Sequence, residues 1–108
     1  MARTHSLHTV DAARVLGLQI ASARRAQRWT IRELAERAGV SVPTVRKVER
    51  GELGVSIGTA FELATLLGVA LFGVDREGMG ELVERGRDRL ALLPTRVRIG
   101  DRPVHDDF

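Results

Sequence analysis

The 108-residue chain contains no cysteine. Disulfides and thiolate-held metals are therefore excluded, and a reducing compartment is compatible. No apolar run approaches the roughly 20 residues that a membrane span needs, so no membrane association is expected. The opening stretch MARTHSLHTVDAARV has no continuous apolar core of the kind a secretion signal carries, and a cytoplasmic location is the expectation. There is no internal repeat, no low-complexity tract and no glycine-rich phosphate loop. None of Ser6, Ser22, Ser41 and Ser56 stands in a nucleophile-elbow context, so nothing supports catalysis and no enzyme is expected. The histidines are His5, His8 and His105. The i,i+3 spacing of the first two would suit a metal on a helix, but no third ligand lies nearby, and neither metal nor cofactor is expected. A chain of this length supports one domain with a modest core.

What is present is unevenly distributed. Residues 1–50 hold ten Arg and Lys against four Asp and Glu, a net +6, whereas residues 51–108 hold seven against ten, a net −3. The first half has the sign that meets phosphate and the second does not. Sixteen of the seventeen cations are Arg, whose planar fork suits phosphate and guanine edges. Arg-rich codon usage would produce the same excess, so the clustering by halves is the better signal.

The most informative stretch is TIRELAERAGVSVPTVRKVERG, residues 30–51. Thr30 and Glu33 form a capping-box pattern, the mark of a helix start. Leu34, Ala35 and Ala38 repeat at helical spacing, and Gly39 suits the left-handed position that ends a helix. Ser41 can cap a second helix, Pro43 fits its first turn, and Gly51 closes it. Val45 and Val48 face inward. Two helices this short and this tightly joined form a helix-turn-helix. The expected outer side of the second is Val42, Pro43, Thr44, Arg46, Lys47 and Arg50, a surface suited to a DNA groove. Thr30, Ser41 and Ser56 each begin a helix, with Arg28, Arg32 and Arg50 flanking those starts. Helix amides and short hydroxyls there suit phosphate oxygens as well as plain capping.

The pieces LGLQIASARRAQRWT, IRELAERAGVS, VPTVRKVERG and SIGTAFELATLLGVALF resemble, in order and spacing, the Cro/cI-type helix-turn-helix domain of the XRE family. The resemblance spans residues 17–72 and implies an all-α, lambda-repressor-like domain that binds double-stranded operator DNA as a homodimer, close to the nucleoid. It places the base-reading positions on Val42, Pro43 and Lys47, with Thr44 and Arg46 beside them. The family often has amides there, so Val42 and Pro43 depart from its commonest chemistry and leave the target sequence open. It also implies a structural ion pair between Arg24 and Glu49. A second resemblance, carried by LPTRVR and the closing VHDDF, is to the small HipB-like antitoxins that partner HipA-type kinase toxins.

Around this centre the reading is coarser. Residues 1–9 form a loose arm, and Asp11 caps a first helix running to about Arg28, with Leu16, Ile20 and Ala23 inward. Residues 10–74 make the DNA-binding domain. Its fourth helix, capped by Ser56, buries Ile57, Ala60, Phe61, Ala64 and Leu67. The run VALFGV at 69–74 reads equally as a helix turn or a strand, and Leu71 and Phe72 as core or dimer contacts. A last amphipathic helix occupies residues 75–93, with Met79, Leu82, Val83, Gly86, Leu90 and Leu93 on one stripe, and Pro94 stops it. That stripe either closes the monomer's core or forms a dimer or partner surface. Residues 94–108 form an extended tail whose Phe108, beside Asp106 and Asp107, is a candidate partner anchor. The expected function is a transcriptional repressor, paired with a kinase toxin by the tail resemblance. A stand-alone regulator and an interaction module without a DNA role stay open.

Overall fold

The computed structural model describes residues 4–101. Five α-helices follow one another: α1 (Leu7–Ala26), α2 (Ile31–Ala38), α3 (Val42–Glu49), α4 (Ile57–Leu66) and α5 (Arg76–Ala91), with a short 3-10 turn at Ile99–Asp101. The chain divides into two compact units, Met1–Arg76 and Glu77–Phe108. In the first, α3 packs on α1 and α2, and α4 packs on the same two helices. The architecture is the all-α, lambda-repressor-like helix-turn-helix fold.

Its core is a small aliphatic set. Ile20 from α1, Leu34 and Ala35 from α2, Val45 and Val48 from α3, and Ala60, Leu63, Ala64 and Leu67 from the α4 region are buried. The α4 stripe differs from expectation. Ile57 is 70% exposed, and Leu63, at the i,i+3 position from Ala60, is fully buried in its place. The helix enters the core only from its second turn, so its first residue lies beyond the apolar contact.

Helix α1 begins earlier than expected. Ser6, not Asp11, is its cap, accepting the Thr9 amide at 3.3 Å. Asp11 lies inside the helix and faces Arg14 at 3.9 Å. The helix also stops at Ala26, because Arg28 takes a left-handed φ of 60°. The chain then turns back so that the Trp29 amide donates to the Arg24 carbonyl at 3.0 Å. The same six-residue return closes α2, where Gly39 has φ 70° and the Val40 amide reaches the Ala35 carbonyl at 3.0 Å. A Cβ-bearing residue pays steric strain in that conformation, so Gly39 permits the tight turn between α2 and α3.

Residues 69–74 are neither a helix turn nor a full strand. An isolated antiparallel bridge joins Leu71 to Val74 across Phe72 and Gly73, both at positive φ. Leu71 packs against the core, whereas Phe72 is 72% exposed and meets Phe61 edge-on at 5.9 Å. In the second unit, α5 buries none of its residues. Met79 and Leu82 are half-buried, and Val83, Leu90 and Leu93 are exposed. The tail is not extended throughout its described part, since it turns at Ile99–Asp101. Phe108, His105, Asp106 and Asp107 lie outside the described residues.

The start of α2 carries a pH dependence. The Thr30 amide donates to Glu33 Oε1 at 3.1 Å, and the Glu33 amide donates to Thr30 Oγ1 at 3.0 Å. The Thr30 backbone and side-chain hydrogen bonds, with a smaller contribution from Arg37, hold the Glu33 carboxyl below its usual range. A carboxyl depressed in the folded state stabilises above its unfolded pKa, and that contribution is lost as the pH falls through the folded value. Glu33→Ala should therefore lower the melting temperature near neutrality, and the gap to the parent chain should close on acidification below the carboxylate range. A gap that stays constant with pH would remove the charge from the account of this cap.

Candidate nucleic-acid interface

Three helix starts and the outer side of α3 make up the candidate surface. Each start uses a hydroxyl as its cap: Thr30 for α2, Ser41 for α3 and Ser56 for α4. Ser41 Oγ accepts the Thr44 amide at 3.2 Å and lies 2.8 Å from Thr44 Oγ1. Ser56 repeats the arrangement with Thr59, at 3.1 Å to the amide and 3.2 Å between hydroxyls. Ser6 and Thr9 do the same at the start of α1. This Ser-x-x-Thr pairing was not recognised in the sequence, although its spacing is legible there. Each pair puts hydroxyl oxygens at the start of a helix, where the helix dipole favours an anion, although Pro43 gives α3 one amide fewer to offer.

On α3 the burial pattern sorts the expected reading residues. Val45 and Val48 are buried, while Pro43, Arg46, Lys47 and Arg50 are exposed. Val42 and Thr44 are not on the open side as expected. Both are half-buried, with Val42 packed against the core and Thr44 held to Ser41. The helix turns 100° per residue, so Val42 and Thr44 fall on the two borders of the inward stripe. Arg50 is exposed and its Nε donates to Glu52 Oε2 at 2.9 Å, which an incoming phosphate would have to displace. Arg28 and Arg32 are exposed at the approach to α2 and in its first turn. A cation in the first turn of a helix opposes the helix dipole, and a neighbouring anion removes that penalty.

One pair holds the surface in place. Arg24 Nε donates to Glu49 Oε2 at 2.7 Å, and its second terminal nitrogen donates to Oε1 at 3.1 Å. The remaining terminal nitrogen donates to the Trp29 carbonyl at 2.8 Å. The two side chains are only 9% and 10% exposed. One guanidinium thus ties the last turn of α3 to α1 and to the loop that leads into α2. Trp29 itself lies under Arg37, whose guanidinium carbon is 4.6 Å from the ring centroid. That contact was not recognised in the sequence, because nothing local places residue 37 over residue 29.

Two close backbone approaches complete the arrangement. Gly17 of α1 lies against the carbonyls of Val48 and Glu49. Gly51, just past α3 at φ 74°, lies against the α1 backbone at Arg14.

Residues 20–74 match the model of a helix-turn-helix family, and the chain belongs to that family, of the Cro/cI (XRE) type. The match begins inside α1 and ends at the Leu71–Val74 bridge. It makes the chain a DNA-binding transcription regulator, in a family of DNA-binding regulatory domains. No curated protein and no solved structure gives a match. Among the described residues, no helix is long and apolar enough to cross a membrane.

Proposed function

We propose that the chain is a repressor that occupies a palindromic operator as a homodimer, placing two copies of α3 in successive major grooves about one helical turn apart. The observation that carries this reading is the outer side of α3, where Pro43, Arg46, Lys47 and Arg50 are exposed and directed away from the buried Val45 and Val48. Lys47 donates to guanine O6 and N7, and Pro43 packs on a thymine methyl, with Val42 and Thr44 contributing from the borders. Thr30, Ser41 and Ser56, with Arg28, Arg32 and Arg50, hold phosphates and supply the salt-dependent affinity. Repression is steric, in the cytoplasm at the nucleoid.

Lys47→Ala should weaken binding to the DNA upstream of the chain's own gene by about 1–3 kcal/mol more than binding to a random duplex, if Lys47 reads a base. Arg50→Ala should weaken both alike. Equal losses for Lys47→Ala on both duplexes would withdraw the base-reading role. Absent or salt-insensitive DNA binding would favour an interaction module.

The domain division follows the same logic: residues 10–74 bind DNA, and 75–93 with 94–108 serve assembly. Leu82, Val83, Leu90 and Met79 on α5 are the proposed dimer or partner surface, supported by the exposure of Val83 and Leu90 and the lack of any buried residue in that helix. Phe72 is a second exposed apolar group for that role. By the resemblance of LPTRVR and VHDDF, the partner is a HipA-type kinase toxin, and the chain is its antitoxin and the autorepressor of their operon. Leu82→Glu should convert a dimer to a monomer in sedimentation at micromolar concentration and lower operator affinity with it. Truncation after Leu93 should leave operator binding nearly intact and reduce co-purification with the product of an adjacent kinase-like gene. A monomeric parent chain removes the dimer. An adjacent gene without kinase character leaves a stand-alone regulator.

A further inference from the structure

Between α1 and α3 lies an open groove of 340 Å³, which shares Arg46 and Arg50 with the proposed DNA-facing side and has further lining that the DNA reading does not use. Its floor is apolar, formed by Leu18, Ala21 and Ile31, and Leu18 is 63% exposed there. Its rim is cationic: Arg25 comes from α1 and Arg46 from α3, and both are exposed without an ion-pair partner among the described residues. The Ser22 hydroxyl adds a donor beside them. The carboxylate of Glu49, also on the wall, does not cancel this charge, since both its oxygens are taken by Arg24. Arg50 at the edge is already paired with Glu52. The groove therefore offers two free guanidinium forks and a hydroxyl over a hydrocarbon floor.

A volume of this size lies at the small end of ligand pockets, which run from roughly 300 to 1,000 Å³. It suits a ligand with a compact, flat apolar body and one anionic group. Bare phosphate would satisfy the arginines and leave Leu18, Ala21 and Ile31 in water. A neutral apolar molecule would cover the floor and gain nothing from the guanidinium groups, which would stay bonded to water. A carboxylate on an aromatic or short branched body satisfies both, with bidentate bonds to Arg25 or Arg46.

We infer that this groove is an effector site for a small aromatic or aliphatic carboxylate, and that its occupation loosens the grip on DNA. The coupling rests on the proposed DNA reading. Arg46 belongs both to the groove rim and to the outer side of α3, so a carboxylate bound to it removes one positive charge from the face that meets DNA. The reciprocal effect follows by linkage: DNA lowers the affinity for the effector by the same factor.

The test uses the full chain and 2-naphthoate as probe, followed through the backbone amide shifts of the ¹⁵N-labelled protein. Saturable shifts centred on Ala21, Ser22, Arg25, Ile31 and Arg46 are expected. 2-Naphthalenemethanol, with the same body and no charge, and inorganic phosphate, with charge and no body, should each bind at least about tenfold more weakly. Arg25→Gln should weaken naphthoate by about tenfold, the loss of one charge-assisted contact, with an unchanged melting temperature. Saturating naphthoate should reduce affinity for a random duplex several-fold. Shifts that scatter without saturation, or an Arg25→Gln affinity equal to the parent's, overturn the site. Phosphate binding as tightly as naphthoate reduces the groove to a charge cluster and also overturns it. Naphthoate that binds without changing DNA affinity overturns the coupling. A chain that binds no DNA at all refutes the DNA reading separately, because the shift titration contains no DNA.

Discussion

Glu49→Ala is expected to lower the melting temperature of the chain by about 12 °C or more. Removing one partner of a buried ion pair costs about 3–5 kcal/mol, and about 1 kcal/mol moves the midpoint of a domain this small by roughly 4–8 °C. The size of the effect comes from what stays behind. Two Arg24 nitrogens, now donating at 2.7 and 3.1 Å, would face no acceptor in a site only 9% exposed. Glu49 also lines the groove between α1 and α3, so the size of the loss measures how far water from that side replaces the carboxylate. Arg24→Ala should cost a similar amount, because it leaves the Glu49 carboxylate and the Trp29 carbonyl without their donor. The joint variant Arg24→Met with Glu49→Leu separates the two ideas. If the loss is the penalty of an unpaired charge, the apolar pair should recover most of the stability. Melting curves of the two single variants and the joint variant measure the coupling directly. A single-variant loss below about 1 kcal/mol, the range of exposed pairs, would show that the site admits water. Operator binding is the second readout. A stable joint variant with weakened DNA binding would assign the pair to orienting α3 rather than to holding the fold.

That pair was legible only through resemblance, and the reason is physical. Arg24 and Glu49 are 25 residues apart, and no local rule connects them. The parts visible in the residues themselves are those decided within one or two turns. The Thr30–Glu33 box, Gly39, Ser41 and Pro43 each act on their own few neighbours, and the bounds of α2 and α3 follow from them. The start of α1 was also a local matter that the reading placed wrongly: Asp11 lies inside the helix, and Ser6 caps it by accepting the Thr9 amide. The α4 stripe shows a different limit. Ile57 has helical spacing with Ala60 and Ala64, yet it is 70% exposed while Leu63 is fully buried, and spacing within α4 alone does not tell the two apart. The α1–α3 groove was not legible, since Arg25 reads only as one more solvated cation until α3 brings Arg46 beside it.

Gly17 is the position where sequence alone gives the wrong sign. A glycine inside a helix costs roughly 0.5–1 kcal/mol against alanine, so Gly17→Ala in α1 reads as stabilising. The structure reverses this. A Cβ at Gly17 would stand 2.5 Å from the Val48 carbonyl oxygen and 2.6 Å from that of Glu49. Both atoms are backbone at the end of α3 and cannot rotate aside, so relief requires α1 and α3 to move apart. Overpacking of this kind costs typically 1–3 kcal/mol, which exceeds the gain in helix propensity. The separation would also lengthen the Arg24–Glu49 bonds, so the loss should be smaller when the substitution is added to the Arg24→Met, Glu49→Leu background than in the parent chain. Gly80 and Gly86 of α5 provide the control. Nothing lies within 4 Å of a Cβ at either position, so alanine there should raise the helical content of α5 by propensity alone. Circular dichroism and thermal melts of the three variants decide the matter. A Gly17→Ala chain as stable as the Gly80→Ala chain would mean that α1 and α3 do not approach as closely as the backbone contact requires, and the seat of the α3 helix on α1 would have to be redrawn.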